Sequence, residues 1–293
     1  MSKGFSSTLL VVLWFVSLRG ARKAKKQSLM NRIEQKFQDL KIANRKAFIA
    51  FITAGDPDLK TTENLVVAFE GAGVDIIEIG IPFSDPLADG PTIQASFFRA
   101  LKNGTNVKKI FETVKSIRLK TSIPIAFMTS YNPILRFGEE KFIKACAKTG
   151  VDGLIVPDLP PEEAQNLCRL AREHNIATIF FVAPTSTDER IKSNTKSSNG
   201  FVYYVSLTGT TGTQKALSQD VVKKVKHIKQ FTNKPICVGF GISTPQQVKE
   251  IGRAADGVIV GSAIVKSIQE HKEQNDLVGK VSQYVHSLVK SLA

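Results

Sequence analysis

The chain has 293 residues, of which 42% are hydrophobic and 23% are charged, a composition typical of a globular protein with a substantial core. Its formal net charge is +14. The basic residues are scattered over several predicted helices and form no stripe interleaved with aromatic side chains, which argues against a nucleic-acid-binding protein. A basic surface of this kind suits an anionic ligand, or simply keeps the protein in solution.

Residues 1–29 differ in composition from the rest, with six Lys or Arg and no Asp or Glu. Their apolar run, "STLLVVLWFVSL", is too short to span a bilayer and is followed by the basic run "RGARKAKK". The segment fits an organelle-targeting leader or a signal-like segment, and it also fits a wrongly chosen start upstream of a true start at Met30. A membrane anchor is the weakest of the three interpretations. We predict that 1–29 lies outside the fold and that 30–293 forms one catalytic domain.

The first element predicted after Met30 is an amphipathic helix with Ile33, Phe37 and Leu40 on one face. Short apolar runs then alternate with helical stretches along the chain. Eight of these runs are rich in Ile, Val and Phe, as buried parallel strands are: "AFIAFITAG", "DIIEIGIP", "IPIAFMTS", "DGLIVPD", "ATIFFVAP", "GFVYYVSL", "PICVGFG" and "DGVIVGSA". Each strand is therefore expected to be covered by a helix.

The helices between the strands have recognisable starts. Thr244 is a predicted N-cap with Pro245 at the first helical position and Gln247 completing a capping box. The stretch "LPPEEAQNLCRLA" opens with Pro and acidic residues before its apolar face. The last predicted helix carries apolar residues at helical spacing, namely Leu277, Val281, Tyr284, Val285 and Leu288.

Eight strand–helix units in about 260 residues match a (β/α)8 TIM barrel, an α/β fold of about 250 residues. A doubly wound sheet is the structural alternative, but regular units without a long break favour closure into a barrel. The three cysteines, Cys146, Cys168 and Cys237, have no short paired spacing. They are interpreted as small buried side chains in a reducing compartment, and no metal-binding motif is visible.

Glycine-rich loops after the last two strands indicate a phosphate site, because glycine lets backbone N–H groups approach an anion. This is the usual place for phosphate in such barrels. The candidates are Gly239, Gly241, Gly261 and Ser262, with Gly212 reaching in from the sixth loop. The alternative is that these glycines only allow close packing at the strand ends.

A carboxylate lies inside the second apolar strand. In "IEIGIPFSDPLADGP", residues 77–91, Glu78 is flanked by isoleucines, and Asp85 and Asp89 follow in the loop. Burying a carboxylate costs several kcal/mol unless it is paired or protonated. Glu78 therefore requires a structural partner or a chemical role.

Several of these motifs, in this order and spacing, resemble the tryptophan synthase alpha chain family. The resemblance is carried by "FITAGDPD", "EIGIPFSDPLADGPTIQ", "SYNPI", "GVDGLIVPDLP", "FFVAPTSTDERI", "VGFGIS" and "GVIVGSAIV", and it covers roughly residues 30 to 270 or beyond. The long second-loop motif is specific. The leader is not part of the family pattern, and Leu207 and Thr208 depart from it in the sixth loop.

The resemblance implies cleavage of indole-3-glycerol phosphate to indole and glyceraldehyde 3-phosphate, a retro-aldol reaction without a metal or an organic cofactor. By matching motifs, Glu78 is the mobile acid and base, and Asp89 is the partner of the indole nitrogen. The pKa of Glu78 should rise because it is partly desolvated. Asp89, in a polar loop, should stay ionised, so that two carboxylates with different environments divide the work.

The resemblance assigns further roles around the site. Tyr203 helps to hold it, with Tyr204 on the opposite face of the strand, and Thr211 is a lid residue that contacts the Asp of the second loop. Asp85 precedes Pro86 and is interpreted as a turn residue rather than a catalytic acid. An apolar wall for indole is expected from Phe51, Ile93 and Met128.

The family resemblance also implies a partner, a tryptophan synthase beta chain that receives indole in an α2β2 tetramer. No nucleic acid or membrane partner is expected. Two other functions stay open: a non-catalytic partner or regulator of a beta chain, and another phosphate-binding barrel enzyme. The leader and unpaired cysteines suit a plastid stroma, with the cytoplasm as the alternative.

Overall fold

The computed structural model describes residues 30–86, 89–206, 214–239 and 241–292. Its strands are β1 (Ala47–Thr53), β2 (Ile76–Gly80), β3 (Ile125–Met128), β4 (Gly153–Ile155), β5 (Ala177–Ile179), β6 (Phe181–Val182), β7 (Val202–Val205), β8 (Ile236–Gly239) and β9 (Gly257–Val260). The α-helices of the first half are α1 (Arg32–Ile42), α2 (Leu59–Gly71), α3 (Pro91–Lys102), α4 (Val107–Arg118), α5 (Tyr131–Phe137) and α6 (Glu139–Thr149). Those of the second half are α7 (Gln165–Glu173), α8 (Asp188–Ser197), α9 (Gln214–Ile228), α10 (Pro245–Gly252), α11 (Ser262–His271) and α12 (Leu277–Val289), before a final 3-10 turn (Lys290–Leu292).

All strand pairs are parallel, in the order β5-β4-β3-β2-β1-β9-β8-β7-β6. The two strands at the ends of this order, β5 and β6, are consecutive in the chain and separated only by Phe180. They are therefore the two halves of the fifth barrel strand, and the ring closes between them. The predicted (β/α)8 TIM barrel is confirmed.

The fifth strand differs from its prediction as one unbroken run. Its first half pairs with β4 and its second half with β7. At the junction, the Phe180 N–H donates to the Ser198 hydroxyl at 3.1 Å, while its carbonyl accepts the Tyr203 N–H at 3.1 Å. Ala177, Ile179 and Phe181 still alternate toward the barrel interior, so only the hydrogen-bond ladder is interrupted.

Helix α1 closes the end of the barrel at which the strands begin. Ile33, Phe37 and Leu40, the predicted apolar face, pack into the same cluster as the inward side chains of the strands. The Phe37 ring lies 5.7 Å from that of Phe201. A Cβ at Gly153 would lie 2.8 Å from Ile33 Cδ1, so the glycine gives the helix room to approach. The prediction of an amphipathic first helix is confirmed.

The predicted helix signals hold with one exception. The capping box of Thr244 and Gln247 is present at α10, and the apolar face of α12 is buried. Helix α7, however, begins at Gln165, and the acidic residues before it lie in a turn in which Ala164 N–H donates to the Pro160 carbonyl. Among the predicted buried cysteines, Cys146 and Cys237 are buried and Cys168 is half-buried.

No helix among the described residues is both long and apolar enough to cross a membrane. In the same part of the chain, no group of three or more His, Cys, Asp or Glu side chains could hold a metal ion.

Candidate active site

A cavity of about 610 Å³ opens where the strands end, at the face opposite α1. This is the face at which barrel enzymes place their chemistry. The cavity is mostly apolar, and its polar groups come from the second, seventh and eighth barrel loops and from two strand interiors. Its lining residues are Phe51, Glu78, Asp89, Gly90, Thr92, Ile93, Met128, Pro157, Phe181, Ala183, Tyr203, Val205, Gly241, Ile242, Ser243, Ile259, Gly261, Ser262, Ala263 and Lys266.

Glu78 lies at the floor of this cavity. Strand alternation directs Ile77 and Ile79 into the layer between the sheet and the helices, so the Glu78 side chain points inward. Its exposure is 0%, and neither carboxyl oxygen has a hydrogen-bond partner among the described residues. Burial raises the pKa of Glu78 to about 8. The predicted rise in pKa is thus present, and the carboxyl carries a proton at neutral pH.

Asp89 is half-buried at the side of the cavity, at the end of the second loop. Burial, followed by the negative charge of Asp158, raises the pKa of Asp89 to about 6. The loop is thus less polar around Asp89 than the sequence predicted. About nine-tenths of Asp89 side chains remain ionised at pH 7, because that pH lies one unit above the pKa. The Gln94 side chain donates to the Asp89 carbonyl at 2.8 Å and holds this part of the loop.

Asp85, the other acid of the loop, is exposed and accepts a hydrogen bond from the Ser84 hydroxyl at 2.6 Å. It does not contribute to the lining of the cavity. This placement agrees with the prediction that Asp85 has a local role in the loop rather than a catalytic one.

The predicted apolar wall is present. Phe51, Ile93 and Met128 line the cavity and pack together in one small cluster. Phe51 pairs in register with Glu78 on the neighbouring strand, so the aromatic ring and the carboxyl lie at the same depth of the barrel. A flat apolar ring system is the kind of group that this wall can bind.

Tyr203 completes the wall on the opposite side, with its ring 4.7 Å from that of Phe181. Burial, and next the carboxyl of Glu78, raises the pKa of the Tyr203 hydroxyl well above its usual value. Tyr204 packs in the outer layer, as strand alternation predicts. The tyrosine therefore presents a neutral hydroxyl near both carboxyl groups.

Three of the predicted phosphate-binding residues, Gly241, Gly261 and Ser262, lie together in the cavity lining. Gly261 is the N-cap of α11, and glycine has no side chain to accept the first N–H groups of that helix. Helix α10, one unit earlier, satisfies its first turn with the capping box instead. The start of α11 thus offers backbone donors and a helix dipole to an anion in the cavity.

Gly239 has a different environment from the other candidates. It is a buried residue of β8 outside the cavity lining, and its carbonyl accepts the Ser206 N–H at 3.0 Å. A Cβ at this position would lie 2.6 Å from the Tyr203 hydroxyl oxygen. Close packing against Tyr203, the alternative left open by the sequence, explains this glycine. Thr211 and Gly212 lie outside the described residues, as do Leu207 and Thr208.

Comparison with known proteins places the chain in a family. The family model described as "Tryptophan synthase alpha chain" matches residues 37–292. The chain belongs to the tryptophan synthase alpha chain family. Members of this family are lyases of tryptophan biosynthesis with a TIM-barrel fold.

Individual relatives cover nearly the whole chain. It is 49% identical over 263 residues to the tryptophan synthase alpha chain of Thermoanaerobacter sp. (strain X514), covering 90% of this chain and 100% of the relative. Identity to the alpha chain of Geotalea daltonii is 47% over 264 residues, with coverage of 90% and 100%. These relatives are bacterial.

Solved structures support the same family assignment. The alpha subunit from Legionella pneumophila str. Paris superposes with a TM-score of 0.84 at 34% identity, covering 90% of this chain and 98% of that one. A chain of Mycobacterium tuberculosis tryptophan synthase superposes with a TM-score of 0.81 at 36% identity, with the same coverage. The fold and the family resemblance inferred from the motifs are both confirmed.

Some residues of this cavity were not predicted from the sequence. Phe181 could have been found by continuing the alternation of Ala177 and Ile179. Nothing in the sequence marked Lys266 as a cavity residue, because a helix lysine four positions before Glu270 has the pattern of a solvated surface pair. In the structure the two side chains lie 3.8 Å apart, and Lys266 also lines the cavity. Its position one turn after Ser262 becomes meaningful only when α11 is seen to begin at the cavity.

Proposed function

We propose that this chain cleaves indole-3-glycerol phosphate to indole and glyceraldehyde 3-phosphate. The observation that carries the proposal is the desolvated Glu78 carboxyl at the floor of an apolar cavity that it shares with Asp89. A carboxyl with a pKa of about 8 holds a proton at neutral pH and can also accept one when its surroundings change. Family membership supplies the reaction for which such a group is suited.

In the proposed reaction, protonated Glu78 donates its proton to indole C3. The ring becomes an electron sink, and the bond between C3 and the glycerol side chain breaks. The resulting carboxylate of Glu78 takes the proton of the adjacent glycerol hydroxyl, whose oxygen becomes the aldehyde oxygen. Ionised Asp89 accepts a hydrogen bond from the indole N–H and stabilises the positive charge that develops there. One carboxyl thus acts as acid and then as base, and regains its starting state.

Binding of the substrate follows from the two halves of the cavity. Phe51, Ile93 and Met128 would hold the indole ring, with Tyr203 on the other side. The phosphate would bind at the start of α11 through Gly261 and Ser262, with Gly241 beside them. Thr211 and Gly212 are proposed, from the family resemblance alone, to complete the site from the sixth loop.

We also propose that a beta chain binds over the cavity face, in an α2β2 tetramer, and receives indole there. Indole is apolar and would otherwise escape by diffusion. Of the two locations considered for the protein, the bacterial relatives favour the cytoplasm and give the plastid no support. The catalytic domain is proposed to span 30–293, without a requirement for residues 1–29 in cleavage.

The test is a direct assay of the purified full-length chain with indole-3-glycerol phosphate, followed by the appearance of indole. Turnover that depends on Glu78 is expected, and addition of a beta chain should increase it. A chain that binds the beta partner but releases no indole would favour the non-catalytic regulator. Turnover of a different sugar phosphate, with none of indole-3-glycerol phosphate, would favour another phosphate-binding barrel enzyme.

A further inference from the structure

The last helix, α12, contributes no side chain to the part of the cavity lining that the structure describes. Its buried residues Val281, Val285 and Leu288 account for its packing against the barrel. Tyr284 lies at the same helical spacing, and its ring packs against the core. Packing explains the ring of Tyr284 but not its hydroxyl, because a phenylalanine would fill the same space.

The Tyr284 hydroxyl donates a hydrogen bond to the backbone carbonyl of Ser243 at 2.8 Å. Ser243 belongs to the seventh barrel loop, which joins β8 to α10 and contributes Gly241, Ile242 and Ser243 to the cavity lining. Burial, followed by the negative charge of Glu270, raises the pKa of Tyr284. The hydroxyl therefore keeps its proton at neutral pH and remains a donor to the loop.

Other contacts hold the same loop from below and from α10. Ile242 is buried in the core. The side-chain oxygen of Gln247 accepts the Ser243 N–H at 2.9 Å and the Thr244 N–H at 3.1 Å. These two bonds are local, because donors and acceptor lie within four positions of each other. Tyr284, 41 positions after Ser243, ties the loop to a different helix.

The two halves of the candidate phosphate site both depend on α12. One half is the start of α11, with Gly261 and Ser262 in the cavity lining, and α12 packs against α11. The other half is the seventh loop, where Gly241 has a φ of +70°, a left-handed conformation that favours glycine. Because α12 contacts α11 and also holds the loop through Tyr284, it can set the spacing between the two groups of backbone donors.

We propose that Tyr284 is a positioning residue for phosphate binding, which holds the seventh loop at the spacing from α11 at which both can bind one phosphate group. This inference rests on the phosphate site of the proposed function. Tyr284 lies outside the cavity lining, so it acts through Ser243 and not on the substrate. Groups that are fixed before a ligand arrives lose less entropy on binding, so the hydrogen bond should raise affinity and leave the chemical step unchanged.

Tyr284→Phe tests the proposal, because it removes the hydroxyl and keeps the ring. In the full-length chain, KM for indole-3-glycerol phosphate should rise about twofold to tenfold, the range expected for the loss of one net hydrogen bond. The kcat should not change. A role confined to stability would instead lower the urea midpoint and leave KM where it was.

Titration with inorganic phosphate gives a second measurement that does not require cleavage. At constant ionic strength, phosphate should shift the amide resonances of Gly241 and Gly261, and its dissociation constant should be about twofold to tenfold larger in Tyr284→Phe. The dissociation constant of indole, which has no phosphate group, should be equal in the two proteins. If the unchanged protein released no indole, the proposed function would fail, and the phosphate titration would still decide the role of Tyr284.

Two control variants remove hydroxyl hydrogen bonds elsewhere. Tyr131→Phe makes the same substitution on α5, which follows β3 across the ring from β8, and removes a bond to Glu139 of 2.9 Å. Ser287→Ala removes a hydroxyl from α12 itself, where it donates within the helix to the Tyr284 carbonyl at 2.6 Å. Both variants should keep the KM and the phosphate affinity of the unchanged protein.

Four results would each overturn the role of Tyr284. The first is an unchanged KM and phosphate affinity in Tyr284→Phe, and the second is an equal change in either control. The third is a fall in kcat without a change in KM. The fourth is the absence of phosphate-induced shifts at Gly241 and Gly261 in the unchanged protein.

Discussion

The two ends of the barrel treat their buried carboxyl groups in opposite ways. At the end of the barrel where the strands begin, the Asp152 carboxylate accepts three hydrogen bonds. They come from the Arg32 guanidinium at 2.7 Å, the Arg118 guanidinium at 2.8 Å and the Ile125 N–H at 2.9 Å. At the cavity end, both oxygens of Glu78 lack a hydrogen-bond partner within the described ranges. A buried carboxylate with hydrogen-bonded cationic partners contributes to the stability of the fold. A buried carboxyl without partners has a raised pKa, which suits it to proton transfer near neutral pH. One end therefore serves stability and the other serves reactivity.

The largest expected effect comes from removing the uncompensated acid. Glu78→Gln keeps the shape of the side chain and cannot transfer a proton, so kcat should fall by about 10² to 10⁴ or more. KM should change little. Steady-state kinetics of indole formation measure both, with Asp85→Asn, which changes an exposed acid of the same loop, as the control. Near-native kcat in Glu78→Gln would remove Glu78 from the mechanism.

The second prediction removes a cationic partner from the buried carboxylate of Asp152. Arg118 is 12% exposed in its side chain, donates to Asp152, and also satisfies the carbonyls of Gly150 and Ile123. Arg118→Met leaves Asp152 without its more buried partner and should lower the free energy of unfolding by about 3–5 kcal/mol. Urea unfolding gives this value.

Arg32→Met is the control for that experiment, because Arg32 contacts the same carboxylate from a side chain that is 46% exposed. It should cost about 1 kcal/mol or less. The folded Arg118 variant should keep its kcat. Equal losses of stability in the two arginine variants would contradict the difference that burial predicts.

The pH dependence of stability sharpens the comparison further. Folded Glu78 keeps its proton up to about pH 8, while the unfolded chain releases it near 4.5. Between these values the folded state binds more protons, so a rise in pH favours unfolding. The unchanged protein should lose up to about 1.4 kcal/mol per pH unit relative to Glu78→Gln across this window. Parallel stability curves for the two proteins from pH 5 to 8 would show an ordinary pKa for Glu78.

Gly239 lies next to the cavity without lining it. Replacing it distinguishes a role in packing against Tyr203 from a role in phosphate binding. In Gly239→Ala the new Cβ would meet the Tyr203 hydroxyl, so the free energy of unfolding should fall by about 1–3 kcal/mol. Gly261→Ala is the control, because its Cβ would lie 3.4 Å from the nearest Phe51 atom, an ordinary contact. An unchanged stability with a raised KM in Gly239→Ala would restore Gly239 to the phosphate site.

The smallest expected effect concerns Asp89. Asp158 accepts the Tyr131 N–H through its carboxylate, and its charge contributes to the raised pKa of Asp89. Asp158→Asn keeps an oxygen for that N–H and removes the charge. The pKa of Asp89 should fall, so the acid limb of the kcat/KM profile should move to lower pH. Glu162→Gln, an exposed acid nearby in sequence, should leave the profile in place.

The sequence revealed the barrel because its signals are local. Each strand is an apolar run, and the capping box at Thr244 and the apolar face of α1 depend on residues within a few positions of each other. The interruption at Phe180 was hidden because "ATIFFVAP" is apolar throughout, and the break concerns which neighbour receives each hydrogen bond. Ring closure determines that choice, and no local pattern reports it.

The active site shows the same difference between features set by neighbouring residues and features set by residues far away in the chain. The setting of Glu78 was predictable, since the flanking isoleucines imply burial on a strand. The raised pKa of Asp89 was not predicted, because it depends first on burial in the folded barrel and then on the charge of Asp158, 69 positions later in the chain. Gly239 and Gly261 look alike in sequence, and only the position of Tyr203 distinguishes them. Contacts between residues far apart in the chain account for what the sequence did not show.

Helix α1 has a consequence for synthesis of the chain on the ribosome. It emerges before every other helix and strand that the structure describes, yet groups that cover its apolar face, such as Gly153, Ile179 and Phe201, follow more than 110 residues later. At about 5–20 residues per second, this leaves Ile33, Phe37 and Leu40 without their final neighbours for many seconds. During that time they are natural binding sites for a chaperone. Slowing translation after β3 should therefore prolong chaperone contact with the first helix more than with any later one.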